Sequence, residues 1–446
     1  MDQFKPAITT YKSDHHDISP LRGSFRKRPQ PADTSDVRGM GLDGCPSSDH
    51  HVATKAHVNR EGGGFYPACS RSSIETTSTC YLQRNMNQNN TFHWLHISDY
   101  HEGQKFSREL WPQIRSRLIE NIKNHCENNG PIDLVIFSGD IAFKGDTSEY
   151  HSIKDELVNL WDVFRSMGQE PKLFLIPGNH DLVRPPATSP LTILAPMLRL
   201  QPGVKAEIFN DDSSTYRKEL MAAFANYQQF VDELSELIPT AMHTKGKIPG
   251  DSSGVLNING LRIGIIGLNT AWTQLSPLTE KGQLDLYIEQ ASSVTNGDIP
   301  TWISANHLNL LVTHHPTDWL QAPAIDDFNT EINVAGYFDA HLFGHMHENR
   351  PEMKYTPWGE QRAFQVASLF GMEKVNGETR RKHGYFFVKA DAKQAQWRVW
   401  PRLIEKKTNG WDLGRDPSYL KGDSLHFDMG WTPRLPIEQQ PKKLKA

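Results

Sequence analysis

Five short polar clusters in the chain contain the residue types that hold divalent metal ions in proteins. In chain order they are Asp99-Tyr100-His101, Gly139-Asp140, Gly178-Asn179-His180-Asp181, His314-His315-Pro316 and Gly344-His345-Met346-His347. Carboxylate and amide oxygens and imidazole nitrogens suit zinc, iron, manganese and similar ions. Each of the first four clusters, taken singly, fits an ordinary turn or strand end, but the five together favour a metal centre.

The charge balance of such a centre indicates what it would act on. Two carboxylates set against two divalent cations leave a surplus of positive charge, which suits an anionic phosphate. One carboxylate must bridge the ions to hold them about 3.5–4 Å apart, the spacing of two-metal sites. A water held between them loses a proton near neutral pH and becomes a nucleophile.

Each cluster directly follows an apolar stretch that predicts a strand. These predicted strands cover residues 92–98, 134–137, 173–176, 308–313 and 340–343. Between the first three, apolar residues at helical spacing predict helices over 106–126 and 153–164. The alternation predicts a layered α/β domain. Side chains just past the carboxyl ends of strands converge on one edge of such a sheet, so the clusters are expected to meet.

Residues 182–250 interrupt this alternation. Five prolines break the chain between Pro185 and Pro202, and 217–237 then predicts one amphipathic helix. We interpret the segment as a helical cap inserted over the site. Farther on, Asn259-Gly260 between two apolar runs predicts a two-residue hairpin.

The two ends of the chain differ from this domain. Closing strands are predicted at 363–367, 385–390 and 396–400, and residues 403–446 are expected to form an irregular tail. Residues 1–90 are poorer in apolar residues and lack helical or strand periodicity, which favours a disordered or loosely structured extension. An alternative is that translation begins at Met86, from which the chain runs directly into the first predicted strand.

The composition argues against several classes of protein. The 446 residues, with 48 basic and 52 acidic side chains, carry a net charge of −4, which is unlike a nucleic-acid coat or a binder of anionic membranes. No run approaches the roughly 18–20 apolar residues of a membrane span. Four cysteines are too few for a disulfide scaffold, and the amino terminus does not resemble a secretory signal. We expect a cytoplasmic protein with no membrane partner, and the oligomeric state is left open.

The five clusters, in this order, resemble those of the calcineurin-like metallophosphoesterase superfamily over residues 92–402. Three tracts are most similar to the bacterial class III cyclic-nucleotide phosphodiesterases: His96-Ile97-Ser98-Asp99, Ser138-Gly139-Asp140-Ile141-Ala142 and His314-His315-Pro316. The resemblance implies a four-layer α/β/β/α sandwich with two mixed sheets. It also implies a dinuclear site of manganese, iron or zinc at the carboxyl-terminal edge of the strands.

The resemblance further implies a role for each site residue. The ligands would be Asp99, His101 and His347 for the first metal, Asp140 as the bridge, and Asn179, His314 and His345 for the second metal. The catalytic residues would be His180, which contacts the phosphate or protonates the leaving oxygen, Asp181, which orients His180, and Asn179, which also touches a phosphate oxygen. The implied reaction is in-line attack of a metal-bound hydroxide on phosphorus. His315 competes with His314 as a ligand, and His314 is preferred because it directly follows its strand.

Three functions are therefore weighed. The leading hypothesis is a dinuclear phosphoesterase acting on phosphodiesters, with cyclic nucleotides as candidate substrates. A DNA nuclease uses the same site on the same fold, but no dense run of lysine and arginine adjoins the clusters, so nucleic acid is not favoured. A non-catalytic scaffold usually lacks ligands, and none is missing here. Beside the clusters, Trp319 is either a pocket wall or a packing aromatic, and Arg350 is either a phosphate contact or half of a surface ion pair.

Overall fold

The structure is a computed structural model that describes residues 90–104, 107–356, 359–369, 373–375, 378–380, 383–407 and 410–435. The extension predicted at the amino terminus and the alternative start at Met86 lie outside the described residues. Within those residues, no helix combines the length and apolar composition that a membrane crossing requires.

Strands and helices alternate through most of the described chain. The strands are β1 (Thr91–Ile97), β2 (Leu134–Phe137), β3 (Lys172–Leu175), β4 (Thr244–Lys245), β5 (Ser252–Ile258), β6 (Leu261–Gly267), β7 (Leu308–Val312), β8 (Ala340–Phe343), β9 (Arg350–Thr356), β10 (Gly359–Gln365), β11 (Glu373–Val375), β12 (Glu378–Arg380), β13 (His383–Asp391), β14 (Gln396–Lys407), β15 (Gly410–Arg415) and β16 (Phe427–Gly430). The α-helices are α1 (Ser107–Asn129), α2 (Thr147–Ser166), α3 (Pro190–Leu194), α4 (Pro202–Asn210), α5 (Thr215–Ala223), α6 (Ala225–Ser235), α7 (Ile288–Val294), α8 (Ile299–Ser304) and α9 (Ala322–Asp327). Shorter helical turns of other types are Ala195–Leu200, Thr317–Trp319 and Phe328–Ile332.

Two seven-stranded mixed sheets form the centre of the fold. The first has the order β15-β14-β13-β1-β2-β3, with β16 paired to β14, and the second has the order β4-β5-β6-β7-β8-β10-β9. Strands β1, β2 and β3 run parallel in the first sheet, as do β6, β7 and β8 in the second. The predicted hairpin joins β5 to β6, with both Asn259 and Gly260 at positive φ (49° and 84°). Such values are those of the two-residue turn that matches the twist of the strands.

The apolar residues of the strands alternate between two layers of core. In β1, Leu95 and Ile97 line an apolar cavity together with Leu118 of α1 and Leu157 of α2. Trp94 points to the opposite face, where it meets Trp397 edge to face at 5.1 Å. This period of two allows each sheet to pack helices on one face and the other sheet on the opposite face.

The second sheet repeats the arrangement. Ile263 and Ile265 of β6 belong to the core between the sheets, whereas Ile266 belongs to a separate cluster with side chains from α7 to α9. The two sheets with outer helices confirm the predicted four-layer α/β/β/α sandwich.

The predicted helix over 217–237 is two helices, α5 and α6, with a break at Phe224. The backbone of Phe224 (φ −103°, ψ 11°) leaves the helical range. Leu220 and Ala223 of α5 pack in a separate apolar cluster with α3 and α4, whereas Phe230 of α6 stacks on Tyr150 of α2 (4.9 Å between ring centroids) in the larger core cluster. The helix breaks here because the apolar residues before and after Phe224 pack into two different apolar clusters.

The expectation of an irregular tail after residue 403 was wrong for the described part. Strand β14 continues to Lys407, and β15 and β16 pair with it in antiparallel fashion. Trp411 of β15 and Met429 of β16 are buried in the core. Their apolar residues are isolated among glycines and acids, so the sequence shows no strand-like run.

Candidate metal centre

The five polar clusters occupy the loops that directly follow β1, β2, β3, β7 and β8. The first three strands belong to one sheet and the last two to the other, so the loops come from both halves of the sandwich. Hydrogen bonds join loop to loop: the Asp99 N–H donates to the Gly139 carbonyl (2.9 Å), and the His345 N–H donates to Asp99 Oδ2 (3.0 Å). The strand ends therefore place all five clusters at one site, as parallel strand ends do in α/β folds.

The side chains expected at the first metal form one compact group. Asp99 Oδ1 lies 3.2 Å from His347 Nε2, and His347 Nε2 lies 3.1 Å from His101 Nε2. The ligand atoms of these three residues are all within 4.8 Å of one another. All three side chains thus offer a nitrogen or oxygen to a common point.

The side chains expected at the second metal lie beside the first group. Asp140 Oδ2 is 3.2 Å from His314 Nε2, which is 3.3 Å from His345 Nδ1. Asp140 Oδ2 is also 4.0 Å from His101 Nε2 of the first group. Asp140 therefore stands between the two groups, where a bridging carboxylate is required.

Five of these residues have backbone conformations that non-glycine residues rarely adopt. The positive φ angles are 55° at Asp99, 53° at His101, 54° at Asp140, 70° at His345 and 52° at His347. Each costs about 1–3 kcal/mol, and such residues cluster at functional sites where the surroundings impose the strain. The folded state tolerates this loss of stability, and the five potential ligands point toward one site.

The glycines of two clusters are required by close approach between loops. A Cβ atom on Gly178 would clash with Asp140 Oδ1, and a Cβ atom on Gly344 would clash with Ser98 Oγ and Asp99 Oδ2. Any side chain at either position would push a candidate carboxylate ligand away.

Except at His314, the electrostatics hold the candidate ligands in the forms that bind metals. Burial acts to raise the pKa of Asp99 and Asp140, but neighbouring histidines outweigh it and hold the pKa of both carboxyls below the ordinary value. Burial lowers the pKa of His101 and of His345 to about 3, so both rings are neutral near pH 7. Burial also acts to lower the pKa of His314, but the Asp140 carboxylate outweighs it and raises the pKa to about 9. Ionised carboxylates and neutral imidazoles are the forms that bind metals.

Among the described residues, buried polar atoms at the site without a hydrogen-bond partner include Asn179 Oδ1, His315 Nε2 and Arg184 Nε. Buried polar atoms without partners are rare and call for an explanation, such as a bound ion. The orphaned amide oxygen, together with the nitrogen and oxygen donor set, fits a transition metal.

The two adjacent histidines differ in their contacts. His314 donates from Nδ1 to the Ser138 carbonyl (2.9 Å) and turns Nε2 to Asp140. His315 is paired through Nδ1 with Thr270 Oγ1 (2.9 Å) and groups with His314 and His345. The sequence favoured His314 over His315 as the ligand, and in the structure His314 is the histidine that faces Asp140.

His180 lies at the site, but Asp181 does not orient its ring. His180 Nδ1 donates to the Phe143 carbonyl (2.7 Å). The Asp181 carboxylate instead accepts backbone N–H groups of Ile141, Ala142 and Gly178 at 2.8–3.1 Å. The expected orienting role was wrong, because the carboxylate is turned toward the backbone of the neighbouring loop. Asp181 ties the loop that carries Asp140 to the loop that carries Asn179.

Two side chains next to the clusters, Arg350 and Trp319, differ in their surroundings. Arg350 is largely exposed and pairs with Glu352 (2.6 Å), so it is a surface ion pair. Trp319 lies edge-on to the His345 ring at 4.1 Å between centroids, and its indole N–H faces Met346 Sδ.

The sequence alone did not single out two residues that lie at the site, Thr270 and Arg184. Thr270 carried no sequence signal, since a lone threonine after a strand is common. Arg184, whose Nη2 donates to the Asn179 carbonyl at 3.0 Å, stands just after the Asn179 cluster and before two prolines. A cationic side chain shortly after the Asn179 cluster and directly before Pro185 is the sequence feature that could have pointed to Arg184.

Comparison with known proteins gives one family. A family model described as calcineurin-like phosphoesterase matches residues 92–349, which is more than half of the chain. No curated protein matches the chain.

Solved structures with a similar chain path share little sequence. A single mutant of Vps29 from Entamoeba histolytica is 10% identical, with 73% of this chain and 98% of that chain covered and a TM-score of 0.28. Purple acid phosphatase PPD1 from yellow lupin (Lupinus luteus) seeds is 11% identical, with 80% and 58% covered and a TM-score of 0.42. Sulfate thiohydrolase SoxB from Thermus thermophilus is 12% identical, with 66% and 53% covered and a TM-score of 0.31.

Proposed function

Because the chain belongs to the calcineurin-like phosphoesterase family, we propose that it hydrolyses phosphodiesters with the help of two divalent metal ions. The family is metal-dependent and acts on phosphoester bonds. The finer assignment is this: the ions are manganese, iron or zinc, and cyclic nucleotides are candidate substrates.

The convergence of the two ligand groups on Asp140 carries this proposal. Asp140 Oδ2 lies 4.0 Å from His101 Nε2 of the first group and 3.2 Å from His314 Nε2 of the second. Two adjoining groups with a carboxylate between them suit two ions better than one. When bound, the ions supply the Lewis acid that activates phosphate and water for in-line attack.

Seven residues, drawn from all five loops, are the proposed ligands of the two ions. The residues that would hold the ions are Asp99, His101, His347, Asp140, Asn179, His314 and His345. Asp140 is the proposed bridge because it faces both groups. The backbone N–H of His180 donates to Asp140 Oδ1 (2.8 Å), which fixes the carboxylate and leaves Oδ2 for metal.

His180 is proposed to act on the substrate rather than on metal. Because the Phe143 carbonyl can only accept, Nδ1 of His180 must carry a proton. Nε2 is then the nitrogen left for the substrate, and it donates to phosphate or to the leaving oxygen when the ring is cationic.

The first test is hydrolysis of bis(p-nitrophenyl) phosphate beside p-nitrophenyl phosphate, after chelation and after addition of manganese. We expect diester turnover to be restored by metal and to fall at least about a hundred-fold in Asp140→Asn and His345→Ala, because a lost ligand costs at least as much as a lost outer contact. The exposed His151 of α2 supplies the matched control His151→Ala, which should retain activity.

The other outcomes separate the alternatives. Full activity in His345→Ala would refute the metal-centre proposal. Preference for the monoester would replace the diesterase with a phosphatase. No turnover of either ester by metal-loaded protein would favour the scaffold, and salt-sensitive binding of single-stranded DNA would favour the nuclease. If diester turnover is found, release of nucleoside monophosphate from cyclic nucleotides is measured next.

A further inference from the structure

Arg184 is a cation at the candidate metal centre, and within the described part of the chain it has no carboxylate partner of its own. Its Nη2 donates to the backbone carbonyl of the proposed ligand Asn179 (3.0 Å). The carboxylate whose charge acts on it is Asp140, which already faces two histidines. Throughout the described ranges, no carboxylate oxygen lies within ion-pairing distance of this guanidinium, although most arginines of the structure make such pairs.

The guanidinium is incompletely satisfied by the protein. The side chain is half-buried, and its Nε is a fully buried donor with no acceptor among the residues that the structure describes. A buried charged group with an unused donor is costly unless something pairs with it. A brace for the Asn179 carbonyl would use one of the five guanidinium N–H groups and would leave Nε unexplained.

The backbone around Arg184 holds the side chain in place. The preceding Val183 N–H donates to the Ala223 carbonyl of α5 (2.9 Å), and Leu182 is buried in the cluster formed by α3 to α5. Pro185 follows, and a residue before proline is restricted to extended conformations. The cation is thus positioned in advance, which lowers the entropic cost of binding an anion.

The charge at this position fits phosphate. The planar guanidinium fork matches the oxygen geometry of phosphate, and charge-assisted bonds of this kind are among the strongest hydrogen bonds in proteins. We propose that Arg184 is a substrate-binding residue whose guanidinium pairs with a non-bridging phosphate oxygen of substrate and product. The inference rests on the proposed function, because the phosphate is the one held at the metal centre.

The test measures inorganic phosphate binding by calorimetry to the full chain loaded with manganese. Arg184→Gln should weaken phosphate about ten-fold or more, which corresponds to the loss of one charged hydrogen bond. Arg184→Lys should restore part of the affinity, because lysine keeps the charge but not the fork. Arg350→Gln is the matched control and should bind phosphate like the wild type.

Metal content, melting temperature and the KM for bis(p-nitrophenyl) phosphate are measured on the same variants. A raised KM in Arg184→Gln, with manganese content and melting temperature unchanged, supports the inference. Unchanged phosphate affinity in Arg184→Gln overturns it, and so does loss of manganese in that variant, since a brace for Asn179 would then account for the effect. Failure of the wild type to bind phosphate also overturns it.

The two proposals can fail separately. If wild-type protein hydrolyses no ester but binds phosphate in an Arg184-dependent manner, the proposed function fails and the inference is reduced to phosphate binding by Arg184. If wild-type protein hydrolyses the diester and Arg184→Gln matches it in KM and phosphate affinity, the inference fails and the function stands.

Discussion

At the scale of single residues, His314 and Asp140 set the protonation of the metal-free site. Their nitrogen and oxygen are 3.2 Å apart in a fully buried pair. With the pKa of His314 raised to about 9, the ring holds its proton near pH 7. A metal that binds Nε2 must therefore displace a proton.

This gives a pH dependence with a definite sign. Manganese binding near pH 7 should release the His314 proton, and the release should decline as pH rises through about 9, where the ring is already neutral. Titration calorimetry in buffers of different ionisation enthalpy measures the number released. His314→Asn should lack this component and His151→Asn should keep it. Release that grows with pH would contradict the assignment, because that trend belongs to ionisation of bound water.

Asp181 acts, on the same scale, through the backbone. Asp181→Asn replaces an oxygen that accepts N–H groups by a donor, so the loops that carry Asp140 and Asn179 should loosen. Manganese affinity should fall about 10–100-fold, the usual effect of losing an outer contact of a metal site. The exposed Asp162→Asn is the control. Unchanged metal affinity in Asp181→Asn would show that these backbone contacts do not hold the ligand loops in place.

At the scale of elements, the segment after β3 has a core of its own. Helices α3 to α5 pack on the loop before α7, with Trp272 fully buried among Phe209 and Tyr287. This segment is entered directly from the Asn179 cluster, through Leu182 and Arg184. The prediction that this segment is a cap that selects substrates can therefore be tested by changing a residue in its core.

Two buried tryptophans form a matched pair for that test. Trp272 donates its indole N–H to Gln290 Oε1 (3.0 Å), and Trp161 of α2 donates to the Pro171 carbonyl (2.8 Å). Replacing either by phenylalanine removes a buried hydrogen bond, so each variant should lose about 1–3 kcal/mol in the free energy of unfolding, measured with denaturant. If the segment covers the site, only Trp272→Phe should change the KM for bis(p-nitrophenyl) phosphate. Equal KM values in the two variants would count against a cap.

At the scale of the whole molecule, the candidate centre joins the two sheets. Asp99 and Asp140 follow strands of the first sheet, whereas His314, His345 and His347 follow strands of the second. Bound metal would link the two halves of the sandwich and stabilise the folded state by mass action, by about 4 kcal/mol at a thousand-fold excess over Kd.

Metal removal should therefore lower thermal stability. Chelation is expected to lower the melting temperature by several degrees, and added manganese should restore it. In Asp140→Asn the difference between chelated and metal-loaded protein should shrink or vanish. Scanning calorimetry with and without chelator decides this, and a melting temperature indifferent to metal in the wild type would argue against a linking centre.

Features that depend on residues close together in the chain could be predicted from local sequence patterns. The alternation in β1, the helical spacing of Ile114 and Leu118 and the Asn259-Gly260 turn are local patterns, so the strands, helices and hairpin were predictable. The five clusters were visible because each abuts a strand end. The resemblance of those clusters supplied the four-layer architecture.

Contacts between residues far apart in the chain could be seen only in the folded structure. The contacts of His314 with Asp140, of Asp181 with the backbone beyond Asp140, and of Arg184 with Asn179 depend on how separate loops are brought together. The break at Phe224 and the strands after residue 403 likewise depend on which core each apolar residue enters. Hydrophobic burial is non-directional, so a local pattern shows that a side chain is buried, whereas its partners are set by the packing of elements far apart in the chain.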